Sequence, residues 1–264
     1  MALSTSRGRH PQASSAGRPG LGQDVVWHDL ECGSYRADLA LWLELADASA
    51  DGPPAEAILD IGAGTGRVAL ELARAGHRVW ALERDPVLLG ALRERAEGLP
   101  IETTCADARS FELERRDFRL CIVPMQTIQL FGGSAARLQF LRRARAHMRP
   151  GGLLACAIVT ALEPFDCAAG DIGPSAETAT VQQTAYSSRA TRVHVHSRGV
   201  VIERERRIVG RGKAARELDV IELDRLGAAQ LELEGSRAGL TPQPARVIAP
   251  TEEHVGSVVV MLRA

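Results

Sequence analysis

The sequence lacks the patterns that mark metal-binding and membrane proteins. None of its five cysteines forms a Cys-x-x-Cys pair, and no neighbouring histidine completes a zinc pattern. We therefore expect no metal site and small, mostly buried, reduced thiols. An odd cysteine count without a secretion-signal pattern favours a reducing compartment, and we expect a cytoplasmic protein. Because no apolar stretch approaches the ~20 residues that a spanning helix needs, no membrane association is expected.

An excess of positive charge is also lacking. The chain has 32 Lys and Arg residues against 33 Asp and Glu residues, a formal net charge of −1, and Lys213 is its single lysine. Proteins that bind nucleic acids usually carry a basic excess, so no nucleic acid is expected as a partner. Residues 1–23 contain no acid and almost no large apolar side chain. We expect them to form a disordered tail whose removal leaves the domain at 24–264 stable.

Strand and helix patterns alternate along most of the remaining chain. Short apolar runs are typical of buried strands, and apolar residues at helical spacing, followed by Gly or Pro, predict helices. The predicted strands lie at 57–61, 78–83, 101–105, 118–123, 153–159, 247–248 and 255–262. The predicted helices lie at 65–75, 86–97, 134–148 and 226–238. This alternation predicts right-handed crossovers and a doubly wound α/β fold with a mostly parallel sheet.

The alternation stops between about residues 165 and 224, where strand patterns follow one another without helices. Val193 and Val195 share one face of such a strand, and Gly199 offers a turn into the next one. We therefore expect a small antiparallel β insertion at 165–224. It leaves the sheet near the edge where ligands bind, so it either covers that site or forms a homodimer interface.

A glycine-rich loop follows the first predicted strand. Asp60 stands near the end of that strand, and Gly62-Ala63-Gly64-Thr65-Gly66 leads into the next helix. Glycines allow a tight turn and a close ligand, and the helix start offers free N–H groups. A dinucleotide-binding loop would have Gly or Ala at the end of its Gly-x-Gly-x-x-Gly pattern, where this chain has Arg67. The acid before the loop suits a ligand that carries an ammonium group.

This loop with its preceding acid resembles motif I of the class I S-adenosylmethionine-dependent methyltransferases, in their small-molecule branch. The resemblance covers about residues 55–160 and, loosely, 226–264. It implies a Rossmann-like methyltransferase fold with a seven-stranded sheet, and S-adenosyl-L-methionine as the cofactor. In that family the loop packs beside the methionine moiety, and the acid helps to place its amino group.

A second acid ends the second predicted strand. Glu83 lies 19 residues after Gly64, and Arg84 follows it directly. A carboxylate at this place can accept hydrogen bonds from the ribose hydroxyls of a nucleoside. Enzymes that use NAD have the same device, so Glu83 indicates a ribose and not a particular cofactor. We include both residues among the candidate cofactor-binding residues.

The later candidates follow from the family resemblance. It assigns Asp107 to the adenine amino group and the backbone of Ala108 to the adenine ring. Pro124 lies at the carboxyl end of the fourth strand, where ligands bind in such sheets. In the small-molecule branch a tyrosine from a leading helical segment often covers the methionine end, and Tyr35 is the candidate here.

We therefore expect an enzyme that transfers a methyl group from S-adenosylmethionine to an oxygen or nitrogen atom of a small-molecule acceptor. Two alternatives are a non-catalytic S-adenosylmethionine-binding protein and an NAD-dependent oxidoreductase, the latter disfavoured by Arg67. No catalytic residue follows from the sequence. His28, His194, His196 and Tyr186 could remove a proton, but residues of these types are more often structural or exposed.

Overall fold

The fold is known from a computed structural model that describes residues 22–48, 57–210, 212–252 and 254–264. The predicted tail falls outside these ranges except at its end. Gly22 precedes the first helix and Gln23 already belongs to it, so the folded chain includes these last two residues of the predicted tail. The predicted disorder of residues 1–21 lies outside the described residues.

Six α-helices and twelve strands lie in the described ranges. The helices are α1 (Gln23–Cys32), α2 (Leu39–Ala48), α3 (Arg67–Arg74), α4 (Pro86–Arg95), α5 (Ser134–His147) and α6 (Ala228–Arg237). The first strands are β1 (Ile58–Ile61), β2 (Val79–Glu83), β3 (Ile101–Cys105), β4 (Phe118–Val123), β5 (Met148–Ile158) and β6 (Phe165–Asp166). The later strands are β7 (Glu177–Val181), β8 (Thr184–Val195), β9 (Gly199–Gly210), β10 (Lys213–Asp224), β11 (Thr241–Ile248) and β12 (Ser257–Arg263).

Seven strands form the central sheet, in the order β11-β12-β5-β4-β1-β2-β3. The neighbours from β3 to β5 pair in parallel, whereas β12 is antiparallel to both β5 and β11. This confirms the predicted doubly wound, mostly parallel sheet. The strand order reverses between β1 and β4, and ligands bind at such a reversal, beyond the carboxyl ends of the strands.

The two faces of this sheet are covered by different helices. Residues of α2, α3 and α4 pack in one core cluster, and residues of α5 and α6 pack in the other. Every residue of β1 and β4 is buried, which explains why these strands are continuous apolar runs. Among the residues described, no helix is long and apolar enough to cross a membrane.

Two strands begin clearly earlier than predicted: β11 begins at Thr241 instead of residue 247, and β5 also begins early. The fifth strand was expected to begin at residue 153, after the turn residues Pro150, Gly151 and Gly152. It begins instead at Met148, which already pairs with Phe118 of β4. The register between the two strands shifts just after that pair, and Gly151 has a φ of 77°. The turn residues therefore form an irregularity within an extended strand rather than a stop before it.

The β-rich stretch forms a second, antiparallel sheet, in the order β10-β9-β8-β6, and β7 also pairs with β8. This confirms the predicted antiparallel insertion. Its strands β8, β9 and β10 each have 12 residues. One end of the face of this sheet that turns toward the central sheet is apolar. Its buried residues are Val193, Val200, Ile202 and Leu223.

The chain enters and leaves the second sheet at one place. Gln129, in a short 3-10 helix at Thr127–Leu130, is almost fully buried. Its amide accepts from the N–H of Val159 at 2.8 Å and donates to the carbonyls of Val159 and Asp224 at 3.1 and 3.0 Å. Val159 follows β5, and Asp224 ends β10. The Gln129 side chain therefore bonds to both segments that connect the central sheet with the second sheet.

A buried arginine reinforces this junction. Arg137 of α5 is 2% exposed and donates to both oxygens of Glu234 in α6, at 2.7 and 2.8 Å. It also donates to Asp224, which accepts a further hydrogen bond from the N–H of Gly133 at 2.7 Å. Burial alone would raise the pKa of Glu234, but the hydrogen bonds from Arg137, Ser134 and Gln230, together with the charge of Arg137, hold the pKa below its usual value.

Replacing Arg137 with methionine should destabilise the protein by about 3–5 kcal/mol, because it leaves the Glu234 carboxylate buried without its partner. Urea denaturation measures this loss. The matched control is Arg143→Met on the same helix, where the arginine is 45% exposed and pairs with Glu112 on the surface. That change should cost at most about 1 kcal/mol, and equal losses in the two variants would contradict the prediction.

Candidate functional site

A cavity of about 410 Å³ lies at the carboxyl ends of β1, β2 and β4. Its floor is the loops that follow these strands and β3. Its walls are α1 on one side and the inner face of the second sheet on the other. The predicted ligand edge of the central sheet is therefore enclosed by the first helix and by the inserted sheet, which are far apart in the sequence.

Most of the residues predicted from the sequence meet in this cavity. Those that line it are Asp60, Gly62, Ala63, Glu83, Arg84, Asp107, Ala108 and Pro124. Four predicted residues do not line it: Tyr35, Gly64, Thr65 and Gly66. The acids at the ends of successive strands are thus brought together, as the parallel topology requires.

The glycine loop is shaped by neighbouring protein side chains. A Cβ at Gly62, where φ is 70°, would lie 2.5 Å from Cγ2 of Thr127. A Cβ at Gly64, where φ is 55°, would lie 2.3 Å from Nε2 of His28. The glycine loop was expected to lie beside the ligand, but at Gly64 the His28 ring occupies the space that a side chain would enter. Both positions still require glycine, because of their backbone conformation and these close contacts.

The two other residues outside the cavity face the protein interior. Thr65 is buried, and its hydroxyl donates to Oδ1 of Asp29 in α1 at 2.7 Å. Gly66, with a φ of 100°, packs against Leu70 and Leu92. These residues hold the loop in position, and neither faces the ligand space.

Asp60 is the most unusual group in the site. It is 1% exposed, and neither of its carboxylate oxygens has a hydrogen-bond partner among the described residues. Burial raises the pKa of Asp60 to about 7, although the charge of Arg67 and the backbone of Ala69 act in the opposite direction. An unpaired buried carboxylate is costly. Its place in the cavity lining therefore indicates a ligand that supplies a cation or a donor.

Glu83 organises two loops at once. Its Oε2 accepts from the N–H of Gly64 at 3.0 Å, and its Oε1 accepts from Arg84 and Asp85 at 2.8 and 2.9 Å. A carboxylate has about four lone-pair positions, so roughly one stays open, on Oε2. Glu83 can thus accept from one ligand hydroxyl while it also fixes the glycine loop, and it cannot take two hydroxyls as the sequence suggested unless it gives up a loop bond.

Asp107 is engaged by a neighbour. Arg109 donates to both of its oxygens through its side chain and to Oδ1 through its backbone N–H, at 2.5 to 3.1 Å. These hydrogen bonds lower the pKa of Asp107 to about 2. The Arg109 side chain is 41% exposed, so it can move away and give the carboxylate to a ligand amino group.

Tyr35 is not brought to the cavity, contrary to the expectation for this residue. Its ring lies 5.3 Å from the guanidinium carbon of Arg67 and 4.9 Å from the ring of His254. The turn between α1 and α2 places it behind Arg67, which does line the cavity. In this structure Tyr35 supports Arg67 and does not cover the ligand.

Helix α1 contributes a wall that the sequence did not predict. Its cavity-lining residues are His28, Glu31 and Cys32. Burial raises the pKa of the Cys32 thiol to about 11, so it is protonated at neutral pH. The helix is fixed to the site by Asp29, which also pairs with Arg95 at 2.5 Å.

The His28 ring is oriented by this attachment. Nδ1 of His28 lies 3.2 Å from the Thr65 hydroxyl, whose proton is donated to Asp29. The hydroxyl must therefore accept from Nδ1, which leaves the Nε2 lone pair free. Burial lowers the pKa of His28 against the opposing charges of Asp29 and Glu83, so the ring is neutral near pH 7. Of the four histidine and tyrosine candidates, His28 alone lines the cavity.

The second sheet supplies the opposite wall. Its lining residues are Arg204, Arg206, Asp219, Ile221 and Leu223. They share one face, since Asp219 pairs in register with Arg204, and Ile221 pairs with Ile202. Sequence reasoning missed them. The available signal was the pattern at 202–206, in which Ile202 and two arginines alternate with glutamates and so predict one mixed face.

An ion pair joins the two walls of the cavity. Arg206 donates to both oxygens of Glu31, each at 2.7 Å, and Ser188 donates to the same carboxylate at 2.7 Å. The Arg206 guanidinium also lies 5.4 Å from the ring of Trp27, which packs edge-on against Tyr186 at 5.1 Å. Bidentate pairs of this kind are geometrically specific, so α1 and the second sheet are held in one arrangement.

The sheet order, the glycine loop and the acids at the strand ends define an α/β protein with a nucleotide-cofactor cavity. Comparison with known proteins shows which family this part of the chain resembles. Residues 58–152 match a family described as "Methyltransferase domain". This matched stretch contains the glycine loop and the acids at or just beyond the ends of the first three strands, so this part of the chain is similar to methyltransferase domains, in agreement with the family inferred from the loop.

One curated relative is named probable cobalt-precorrin-6B C(15)-methyltransferase (decarboxylating), from Methanothermobacter thermautotrophicus. It is 32% identical over 115 residues, which are 41% of this chain and 57% of that protein. The chain thus matches little more than half the length of this relative. The match therefore concerns the methyltransferase domain and not that protein's whole activity.

Solved structures share the fold over nearly the whole chain. A sugar N-methyltransferase from Streptoalloteichus has a TM-score of 0.68 at 16% identity, and the match covers 98% of this chain and 100% of that one. An S-adenosylmethionine-bound amino pentose methyltransferase of calicheamicin biosynthesis, from Micromonospora echinaspora, has a TM-score of 0.65 at 18% identity, covering 97% and 100%. At these identities the likeness shows the fold.

Replacing Glu83 with alanine should weaken the affinity for S-adenosylhomocysteine about tenfold or more and destabilise the free protein by ~1–3 kcal/mol. The reason is that three loop N–H groups and a ligand hydroxyl lose their acceptor. Calorimetry and denaturation measure the two effects. The control is Glu71→Ala on α3, a partly exposed residue that pairs with Arg36 and Arg74 and whose loss should leave both quantities nearly unchanged. Unchanged affinity in Glu83→Ala would remove Glu83 from the site.

Proposed function

We propose that this protein binds S-adenosylmethionine in the cavity and transfers its methyl group to a nitrogen or oxygen atom of a small-molecule acceptor. The observation that carries the proposal is the Asp60 carboxylate, buried and without a hydrogen-bond partner among the described residues, beside the glycine loop. An α-amino group is a cationic donor of the kind that this carboxylate lacks.

The residues present fit this cofactor in three places. Asp60 would hold the amino group of the methionine moiety. Glu83 would accept from a ribose hydroxyl through its open lone pair, and Asp107 would accept from the adenine amino group once Arg109 turns outward. When bound, the cofactor supplies a methyl group that its sulfonium centre makes electrophilic.

The protein's own contribution is orientation and exclusion of water. Alignment of two reactants can account for roughly 7–11 kcal/mol of a barrier. The second sheet and α1 enclose the cavity through the pair of Arg206 with Glu31, and an enclosed site keeps water from the reacting atoms. His28 offers a neutral ring in the cavity lining. Its Nε2 packs against Gly64, so the ring would have to shift before this atom could take a proton from an amine or hydroxyl.

The proposal predicts that the protein binds S-adenosylmethionine and S-adenosylhomocysteine and does not bind NAD, because the loop ends in Arg67 and begins after an unpaired acid. Calorimetry with the three ligands tests it, and NAD binding without S-adenosylmethionine binding would refute it. Transfer of tritium from methyl-labelled S-adenosylmethionine to a pool of small amines and alcohols then separates an enzyme from a non-catalytic binder.

Replacing Asp60 with asparagine should abolish measurable S-adenosylhomocysteine binding and yet stabilise the free protein above pH 7. The Asp60 carboxyl has a pKa of about 7 in the fold, against an ordinary aspartate value of 3.8, so the folded state binds the proton more tightly than the unfolded chain. Its charge therefore costs stability that increases as pH rises through this range and stays constant above it. Each ~1 kcal/mol recovered should raise the Tm by about 2–4 °C.

The same titration sets the pH dependence of binding in the unaltered protein. Affinity for the cationic amino group should rise as pH increases from about 5.5 to 7, because Asp60 becomes charged in this range. Calorimetry in a series of buffers measures the profile. A flat profile, or a Tm for Asp60→Asn below that of the unaltered protein at pH 8, would contradict the assignment of Asp60.

A further inference from the structure

One guanidinium in the cavity wall has a buried nitrogen without a hydrogen-bond partner among the described residues. The Nε atom of Arg204, on β9, is buried and makes no hydrogen bond to them. Asp219 lies directly opposite Arg204 in the β9–β10 register, but its carboxylate pairs with Arg206 at 3.2 Å. The charge of Arg204 acts on Glu31 of α1, but both oxygens of that carboxylate already accept from Arg206. Arg204 therefore keeps an unused donor on the cavity wall, as Asp60 keeps unused acceptors on its floor.

The other half-buried arginines that line the cavity each form an ion pair with an acidic side chain. Arg67 donates to both oxygens of Asp38, at 2.5 and 2.7 Å. Arg206 donates to both oxygens of Glu31. These pairs join elements of the fold, and each consumes the acids within reach. The nearby acids are thus already bonded to other arginines, and Arg204 has no such pair that joins two elements of the fold.

Arg204 stands where the charged and apolar parts of the wall meet. On its own strand Ile202 is buried on the same face, and on the next strand Ile221 and Leu223 line the cavity. Leu130 and Phe131 line the cavity beside them. A ligand in this part of the cavity meets one guanidinium and a largely apolar surface, which suits an anionic head on an apolar body.

We propose that the methyl acceptor is a small carboxylic acid and that Arg204 binds its carboxylate. The planar guanidinium fork matches a carboxylate with two parallel hydrogen bonds. This inference rests on the proposed function, since it names the acceptor class of the same cavity. It also gives the second sheet a chemical role in addition to covering the site.

The cofactor has a carboxylate of its own, so the carboxylate that Arg204 binds could belong to the cofactor or to the acceptor. The positions of Arg67 and Arg204 distinguish these two cases. Arg67 is the cation whose charge acts most on Asp60, at the cofactor's amino end. Arg204 acts on Glu31 and Cys32 of α1, on the side of the cavity formed by the second sheet. The carboxylate that Arg204 binds is therefore assigned to the acceptor.

The test uses three carboxylates and their neutral amides: acetate, benzoate and 3-phenylpropanoate against acetamide, benzamide and 3-phenylpropanamide. Binding of each is measured by calorimetry or ligand-observed NMR, on the free protein and on protein saturated with S-adenosylhomocysteine. Arg204→Met removes the charge and keeps the bulk. Arg192→Met, on the exposed pair with Asp166 in the same sheet, is the control, and the Tm of each variant reports its folding.

At least one carboxylate should bind about tenfold or more tightly than its amide. Arg204→Met should abolish that preference, Arg192→Met should keep it, and neither should change the affinity for S-adenosylhomocysteine. A tenfold loss of S-adenosylhomocysteine affinity in Arg204→Met would assign the carboxylate to the cofactor and overturn the inference. A lack of preference in every pair would also overturn it. Failure of the unaltered protein to bind S-adenosylhomocysteine would instead refute the proposed function.

Discussion

The cavity depends on the three hydrogen bonds that Glu83 accepts from backbone N–H groups. One side chain at the end of β2 holds the glycine loop after β1 and the turn into α4 at a fixed distance. Backbone N–H groups in such loops need partners, and Glu83 supplies them before any ligand arrives. The loop is therefore ordered in advance, and binding need not repeat the entropic cost of ordering it.

A second constraint lies across the cavity, where α1 connects two sheets that are far apart in the sequence. Asp29 ties this helix to Thr65 and Arg95 beside the glycine loop, and Glu31 ties it to Arg206 of the second sheet. The two acids are two residues apart and so point in different directions from the helix. The helix thus fixes the position of the cover relative to the glycine loop.

The sequence predicted the parts of the site that depend on strand order alone. Asp60, Glu83 and Asp107 each lie at or just beyond the end of a strand, and parallel strands bring their carboxyl ends to one edge, so their meeting could be foreseen. Contacts across long separations could not. Glu31 and Arg206 are 175 residues apart, and nothing local in either segment indicates the other. Tyr35 and Gly64 were misplaced for the same reason, since the packing of α1 on the loop decides where each faces.

The junction at Gln129 has a mechanical consequence. The chain enters and leaves the second sheet near Val159 and Asp224, which are both bonded to this one amide. Asp224 also accepts from Gly133 and Arg137. Both ends of the inserted segment are therefore held at one place on the central domain. On its other side the sheet is held to α1 by the pair of Arg206 with Glu31, by the hydrogen bond from Ser188 to Glu31 and by the contact of Trp27 with Tyr186. Any opening of the cavity on this side must break these three contacts together. Because Arg206 and Glu31 are only 19% and 10% exposed, salt should screen their pair little, and the exchange of bound molecules should depend only weakly on ionic strength.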